Sequence, residues 1–274
     1  MIFTYKKWDD FCAKLEKHGF LSVPAQAVSE NHYLVLKHDV ETSVPNAYRM
    51  AQIEQKYGHK GSYYVQAYLL GDEKNVELLK KMQDMGHEIS YHYDVMDSCK
   101  GDLEKAIAEF EENRKLFVEN GFAFATVCQH GNPVVDRVGY TSNRDFFRSE
   151  KVREKYPELA DIMVNYPEKF QTKYVYFSDA GRLFKQIYDP LNNDITPSDD
   201  KNIPYKDLDA LLAGLSGEKG NIISTHPHRW TASAVKYIIK SAVFKSLKAI
   251  AKVLLKIPFM KKLMSRFYFL AKKF

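Results

Sequence analysis

The fold is decided by residues 33–69, YLVLKHDVETSVPNAYRMAQIEQKYGHKGSYYVQAYL. Residues 33–40 have the composition of a buried strand, and residues 61–69 predict a second strand. Between them, residues 45–58 predict a helix, with Pro45 at its start and Gly58 after its end. A strand, a helix and a strand in this order form a β-α-β unit, so we expect the two strands to be parallel.

The same alternation extends along the chain in both directions. Before residue 33, residues 8–15 place apolar side chains at helical spacing, and Gly19 can end that helix. Beyond it, we predict helices over 74–86, 102–121 and 205–215 and strands over 87–94, 122–130, 173–180 and 220–228. Residues 131–172 show no clean period and are interpreted as a long connection. The pattern predicts an α/β fold whose parallel strands close into a barrel or stay open.

Composition is typical of an ordinary globular protein. The chain has 274 residues, of which 45% are hydrophobic, enough to bury a sizeable core. Its three cysteines form no CxxC pair, which favours reduced thiols over a disulfide framework. The N-terminal stretch lacks the features of a signal peptide, and charge interrupts every apolar stretch before it could span a membrane. We therefore expect a cytoplasmic protein.

Charge divides the chain into two segments near residue 230. From Thr231 to Phe274 there are eleven lysines and arginines and no acidic residue. Removing these from the 40 basic residues of the chain leaves 29 against 35 acidic residues, so the remainder is acidic. We interpret residues 1–230 as a domain and residues 231–274 as a basic tail.

The tail has the spacing of an amphipathic helix. Lysines stand at 236, 240, 245, 248, 252 and 256, and apolar residues fill the positions between them as far as Pro258. Such a helix can lie on an anionic membrane surface, which would hold the protein at the inner face of the membrane. Packing on the domain or on a partner is the alternative. We expect no nucleic-acid partner, since the domain lacks aromatic-interleaved basic elements.

Histidine and aspartate residues stand at the ends of the predicted strands. They are Asp39, His92, His130 and His226. The carboxyl ends of parallel strands meet at one edge of the sheet, so these side chains are expected to converge there. Period-2 alternation puts His92 and His87 on opposite faces of their strand, so they cannot both reach one site.

One aspartate and two imidazoles suit a divalent ion such as Zn²⁺ and leave positions free for water and substrate. The ion would lower the pKa of water and activate it for attack on a carbonyl. Each residue also has a structural explanation. Asp39 could cap the helix over 45–58, His226 could bond to the turn at Pro227, and His130 could be a loop residue beside Gly131.

Five segments in order resemble a known family. They are LKHDVETSVPNAYRMAQIEQKYGHKGSYYV, MGHEISYHYD, CQHGNP, YFSDAGRLF and IISTHPHRW. The chain resembles the polysaccharide deacetylase superfamily (carbohydrate esterase family 4, the chitooligosaccharide deacetylase homology domain) over residues 30–230. It is most similar to a divergent, often cytosolic branch found with surface-polysaccharide biosynthesis. The resemblance implies a distorted (β/α) barrel and metal-dependent removal of acetyl groups from N-acetylated sugars.

The resemblance also implies roles for single residues. Asp39 corresponds to the metal-binding aspartate of the family, His92 to its first metal-binding histidine, and His226 to the histidine that acts as general acid. His130 is the candidate for the remaining metal ligand, because Met96 stands where the second histidine of the family would fall.

The general base is not settled by the resemblance. His38 stands where the main family has its base aspartate, so the base is either His38 itself or Asp179. The Arg-x-Pro-x-Gly strand end of the family is represented only by residues 130–133, His-Gly-Asn-Pro, which lack the arginine.

These residues predict a metal-dependent hydrolase that deacetylates an N-acetylated sugar in a surface polysaccharide or a lipid-linked glycan precursor. The missing base aspartate and second histidine leave an alternative, a catalytically inactive carbohydrate-binding or scaffold protein of a polysaccharide assembly system. A metallohydrolase for another amide or ester is a third reading, because the same activated water would serve it.

Overall fold

The computed structural model describes residues 1–29, 31–132, 135–196 and 198–243. Most of the predicted basic tail, residues 244–274, lies outside the described residues, as does Pro133. Within the part of the tail that is described, residues 234–243 are helical.

A single mixed sheet forms the centre of the described structure. Its strands are β1 (Leu34–Val40), β2 (Ser62–Val65), β3 (Glu88–Tyr93), β4 (Thr126–Gln129), β5 (Ala160–Asp161), β6 (Tyr174–Ser178), β7 (Lys185–Ile187), β8 (Ile203–Pro204) and β9 (Gly220–Thr225). They lie in the order β5-β4-β3-β2-β1-β9-β6-β7-β8. All pairs from β5 to β6 are parallel, and β7 and β8 extend the sheet as antiparallel strands. The predicted α/β fold is therefore confirmed.

Helices connect the parallel strands. They are α1 (Tyr5–Lys17), α2 (Val44–Lys56), α3 (Glu73–Asp84), α4 (Val95–Ser98), α5 (Leu103–Glu119), α6 (Asp145–Arg148), α7 (Glu150–Lys155), α8 (Tyr166–Lys169) and α9 (Leu208–Ala213). Every helix and strand predicted within residues 1–228 has a counterpart. The interpretation of 131–172 as a connection was incomplete, because it holds β5, α6, α7 and α8. The edge strands β7 and β8 were not predicted.

The sheet is strongly curled. Six strand spacings of about 4.8 Å would put β5 and β6 about 29 Å apart in a flat sheet. Yet the Tyr174 hydroxyl on β6 donates a hydrogen bond to the backbone oxygen of Ile162, just after β5, at 3.0 Å. One buried cluster accordingly unites side chains from six strands: Val35, Tyr64, Cys128, Ala160, Tyr176 and Ile222. The sheet therefore has an enclosed inner face, and the functional side chains at its strand ends are brought together.

The outer face of β1 packs against α1 and α2 through a buried carboxylate. Glu54 of α2 is fully buried and accepts hydrogen bonds from Trp8 Nε1 at 2.9 Å and from the Tyr63 hydroxyl at 2.7 Å. His38 Nε2 lies 3.0 Å from Glu54 Oε1. Burial alone would raise the pKa of Glu54, but His38 and the hydrogen bonds outweigh it and lower the pKa. Gly61 is required beside this group, since a Cβ there would lie 2.9 Å from Glu54 Oε2.

The substitution Glu54→Ala should lower the free energy of unfolding by about 3 kcal/mol, because it leaves buried donors without an acceptor. Urea denaturation measures the change. The control Glu77→Ala removes an exposed helical carboxylate and should stay within about 0.5 kcal/mol of the wild type. Equal stability of the two variants would show that the buried network contributes nothing.

Candidate functional site

A cavity of about 340 Å³ opens at the carboxyl ends of the parallel strands. Its walls include polar side chains from β1, β3, β4, β6 and the turn after β9, together with residues from the loops that follow β5 and β7. The lining residues that carry chemistry are Lys37, Asp39, Glu41, His92, Cys128, His226 and Arg229. Among the predicted site residues, Asp39, His92 and His226 therefore meet in one cavity.

Asp39 lies beside a buried lysine on the inner face of β1. Lys37 Nζ is 2.5 Å from Asp39 Oδ1 and also donates to Ser224 Oγ at 3.3 Å. Burial raises the pKa of Asp39, but Lys37, His92 and His226 outweigh this effect and lower the pKa to about 2. Asp39 is therefore ionised at neutral pH. It does not cap α2, whose N-cap residue is Ser43.

A hydrogen bond at Nδ1 orients the ring of His92 and leaves its Nε2 available as a metal ligand. Its Nδ1 lies 3.0 Å from the Cys128 carbonyl oxygen, which can only accept, so the proton resides on Nδ1 and the lone pair on Nε2. Burial is the main cause that lowers the pKa of His92 to about 4, so the ring is neutral at physiological pH. His87 points away, as the alternation predicts, and its ring contacts the backbone of Gly61 and Ala51.

Two groups of side chains could hold an ion, and both use His92. One consists of Asp39, His92 and Cys128, and the other of Glu41, His92 and His130. In the second group His130 Nδ1 lies 3.2 Å from His92 Nε2 and 3.3 Å from Glu41 Oε1. Zinc bonds of about 2.0–2.1 Å in a tetrahedron separate neighbouring ligand atoms by about 3.3 Å, so this group fits zinc.

The first group fits a metal less well because of its thiol. Burial and nearby carboxylates raise the pKa of Cys128 well above its ordinary value. Its Sγ donates to the carbonyl oxygen of Gln129 at 3.4 Å, so the protonated form is the one that the surroundings stabilise. A metal binds the thiolate, so an ion in this group would have to displace the thiol proton. The combination of one carboxylate and two imidazoles is also the ligand type of catalytic zinc sites.

His226 also lines the cavity and is held by Asp179. Its Nδ1 lies 2.6 Å from Asp179 Oδ1, and its backbone amide donates to Asp179 Oδ2 at 3.2 Å. Burial lowers the pKa of His226, but Asp179 outweighs it, so the pKa is raised. The free Nε2 is 3.9 Å from Asp39 Oδ2 and 3.7 Å from Glu41 Oε1. A protonated His226 can therefore donate into the cavity.

Neither of the two candidates for the base, His38 and Asp179, lines the cavity. His38 lies on the outer face of β1, where its ring is fully buried, stacks on Tyr63 and bonds to Thr225 Oγ1 at 2.7 Å. Asp179 is fully buried and accepts hydrogen bonds from His226 and from Arg229 Nη1 at 2.8 Å. Burial raises the pKa of Asp179, but Arg229 and His226 outweigh this effect and lower it. His38 therefore belongs to the core, and Asp179 orients His226.

Three functional side chains were not named from the sequence: Lys37, Glu41 and Arg229. The signal for the first two was present, because Lys37, Asp39 and Glu41 alternate along β1 and share its inner face. Glu41 was missed because it follows the strand end, beyond the matched aspartate. Met96 lies in the apolar core at 4% exposure, which agrees with its having no part in the site.

No protein-family model and no curated protein sequence matches this chain. Within the described residues, no helix is long and apolar enough to cross a membrane. The function must therefore be inferred from the geometry of the cavity.

The protein should bind one zinc ion, and His92→Ala should weaken the affinity about a hundredfold because both groups need this residue. Glu41→Gln and His130→Ala should have similar effects, while Cys128→Ser stays near the wild type. Isothermal titration calorimetry measures all four. The control His32→Ala removes an exposed histidine. The reverse pattern, with Cys128→Ser impaired and Glu41→Gln unchanged, would assign the ion to the group that contains Asp39.

Proposed function

We propose that the protein is a metal-dependent hydrolase that removes an acetyl group from an N-acetylated sugar. The observation that carries this proposal is that Glu41, His92 and His226 line one cavity. His130 contacts both Glu41 and His92, and Asp179 holds His226. A metal-ligand group and a positioned proton donor that face the same space are what amide hydrolysis requires.

Glu41, His92 and His130 would hold the ion, and zinc suits this set of donors. When bound, a divalent ion supplies Lewis acidity, polarising the acetyl carbonyl and easing the deprotonation of water. His92 is kept in the required tautomer by the Cys128 carbonyl oxygen.

Asp39 is the side chain that we assign to accept the proton of the attacking water. It faces the cavity on the same side of β1 as Glu41, and Lys37 keeps it ionised. This role differs from the metal-binding role that the resemblance implies for Asp39. It follows from the closer fit of Glu41 to the histidine pair.

His226 is the side chain that we assign to protonate the leaving amine. Asp179 raises the pKa of His226 and so maintains the imidazolium form that an acid needs. Arg229 donates to both the side chain and the backbone oxygen of Asp179, which fixes the direction of the imidazole.

The cavity supports a sugar substrate. Its volume of about 340 Å³ is at the lower end of the range of small-molecule sites, about 300–1,000 Å³. Tyr176, Ser178, Gln129 and Asn193 line it with the aromatic and polar groups that suit a hydroxylated ring. The curled sheet also suits the distorted barrel that the resemblance implies. We propose as substrate a surface polysaccharide or a lipid-linked glycan precursor.

The test is acetate release from N-acetylglucosamine oligosaccharides by the zinc-loaded protein. Asp39→Asn should keep its zinc and lose about a hundredfold or more in kcat, as expected for a proton acceptor. Glu41→Gln should lose zinc and activity together. The control Asp84→Asn changes an exposed carboxylate on α3 and should leave both unchanged.

Two results would contradict this assignment. Loss of zinc from Asp39→Asn would make Asp39 a ligand rather than a base. Oligosaccharide binding without acetate release by the zinc-loaded wild type would favour the non-catalytic carbohydrate-binding or scaffold function.

The dependence of kcat/KM on pH should reveal the acid. Activity should fall as the pH rises through the raised pKa of His226, because the neutral ring has no proton to donate at Nε2. Asp179→Asn removes the carboxylate that raises this pKa, so the alkaline limb should move to lower pH and kcat should fall about tenfold or more. An alkaline limb that does not move would exclude His226 as its source.

A further inference from the structure

Helical residues 234–243 rest on the domain through one aromatic side chain. Tyr237 is buried, and its ring centroid lies 5.7 Å from that of Phe3 and 6.0 Å from the Arg182 guanidinium. Arg182 also donates from Nη1 to Ser241 Oγ at 3.4 Å. The side of the helix that carries Tyr237 therefore faces the protein.

The opposite side of this helix is apolar and exposed. Its large side chains are Val235, Ile238, Ile239 and Val243, with exposed fractions of 65%, 56%, 59% and 54%. At 3.6 residues per turn they occupy a single arc centred opposite Tyr237, and Lys236 and Lys240 border one edge of it. Contiguous exposed apolar surface on a soluble domain marks an interaction site.

Charge limits what can cover this surface. Residues 231–274 contain eleven basic and no acidic residues, whereas the rest of the chain is acidic overall. A second copy would bring eleven more positive charges to the same place, so self-association is opposed. Nucleic acid would match the charge but would leave the apolar arc uncovered. A partner with negative charge at its surface and an apolar layer beneath would match both the basic residues and the apolar arc.

We propose that this helix face binds the interface of an anionic lipid bilayer. Val235, Ile238 and Ile239 enter the boundary between headgroups and acyl chains, and the two bordering lysines contact lipid phosphates. The acidic remainder of the chain is repelled by the same surface, which orients the protein with this helix towards the bilayer.

The helix contacts a residue close to the cavity wall. Ala180 lines the cavity, and Arg182, two residues further, contacts the helix at Ser241. The lipid-binding face is nevertheless independent of the proposed hydrolase, because it uses neither the metal group nor His226.

Co-sedimentation of the full chain with vesicles tests the proposal. The vesicles are phosphatidylcholine alone or phosphatidylcholine with about one third phosphatidylglycerol. The double variant Ile238→Asp and Ile239→Asp should lose at least about tenfold in partitioning to the anionic vesicles. The matched control, Val118→Asp and Val138→Asp, adds the same two charges at other exposed valines and should bind like the wild type. Added salt should weaken binding.

The proposal is overturned if the wild type does not sediment with anionic vesicles, or if the double variant sediments as well as its control. It is also overturned if the wild type forms a dimer that the double variant abolishes and neither binds vesicles. Since acetate release from soluble oligosaccharides needs no vesicle, failure here leaves the proposed hydrolase intact, and failure of the hydrolase leaves this result standing.

Discussion

The alternation of side chains along β1 is the constraint on which the site depends. β1 lies between β2 and β9, so both of its edges are paired, and all seven of its residues are buried, so both of its faces are covered. Lys37, Asp39 and Glu41 point inward to the cavity, while His38 between them points outward to Glu54. A shift of one residue in register would exchange the two sets and put charged groups into the helix-packing layer. The strand therefore has one stable register, and that register defines the site.

The outer network keeps the inner groups in position. His38 bonds to Thr225 on β9, and the residue after Thr225 is His226. The neighbouring strands are thus linked by a side-chain bond on one face while Asp39 and His226 approach each other on the other face. Buried polar groups of this kind stabilise a fold only when their partners are satisfied, and Glu54 satisfies Trp8 and Tyr63 at the same centre.

The local sequence pattern predicted every helix and strand up to β4 except the four-residue helix α4, and it also predicted β6, α9 and β9, because each of these has its own apolar period. The order of the strands and the curl of the sheet could not be predicted from local pattern, because both depend on which strands pair. The two-residue strand β5, for example, has no periodic signal and is defined by its pairing with β4. The strand-end rule found Asp39, His92 and His226 because parallel strands end together. It could not find the bond between Asp179 and His226, which joins residues 47 positions apart.

The carboxylates at the cavity differ in what neutralises them, and this difference assigns their roles. Asp39 faces Lys37, and Asp179 faces Arg229, so each already has a permanently charged side chain as its counter-ion. The ion-pair partners of Glu41 are instead the three histidines His130, His226 and His228. Burial lowers the pKa of His228 to about 4, so that ring stays neutral at physiological pH. Glu41 is a partly buried carboxylate among imidazoles, and a metal ion bound between them would supply the permanent positive charge that it lacks. Among the three, Glu41 is therefore the carboxylate best suited to ligate a metal. In the proposed hydrolase, this leaves Asp39 to accept the proton of water and Asp179 to hold His226.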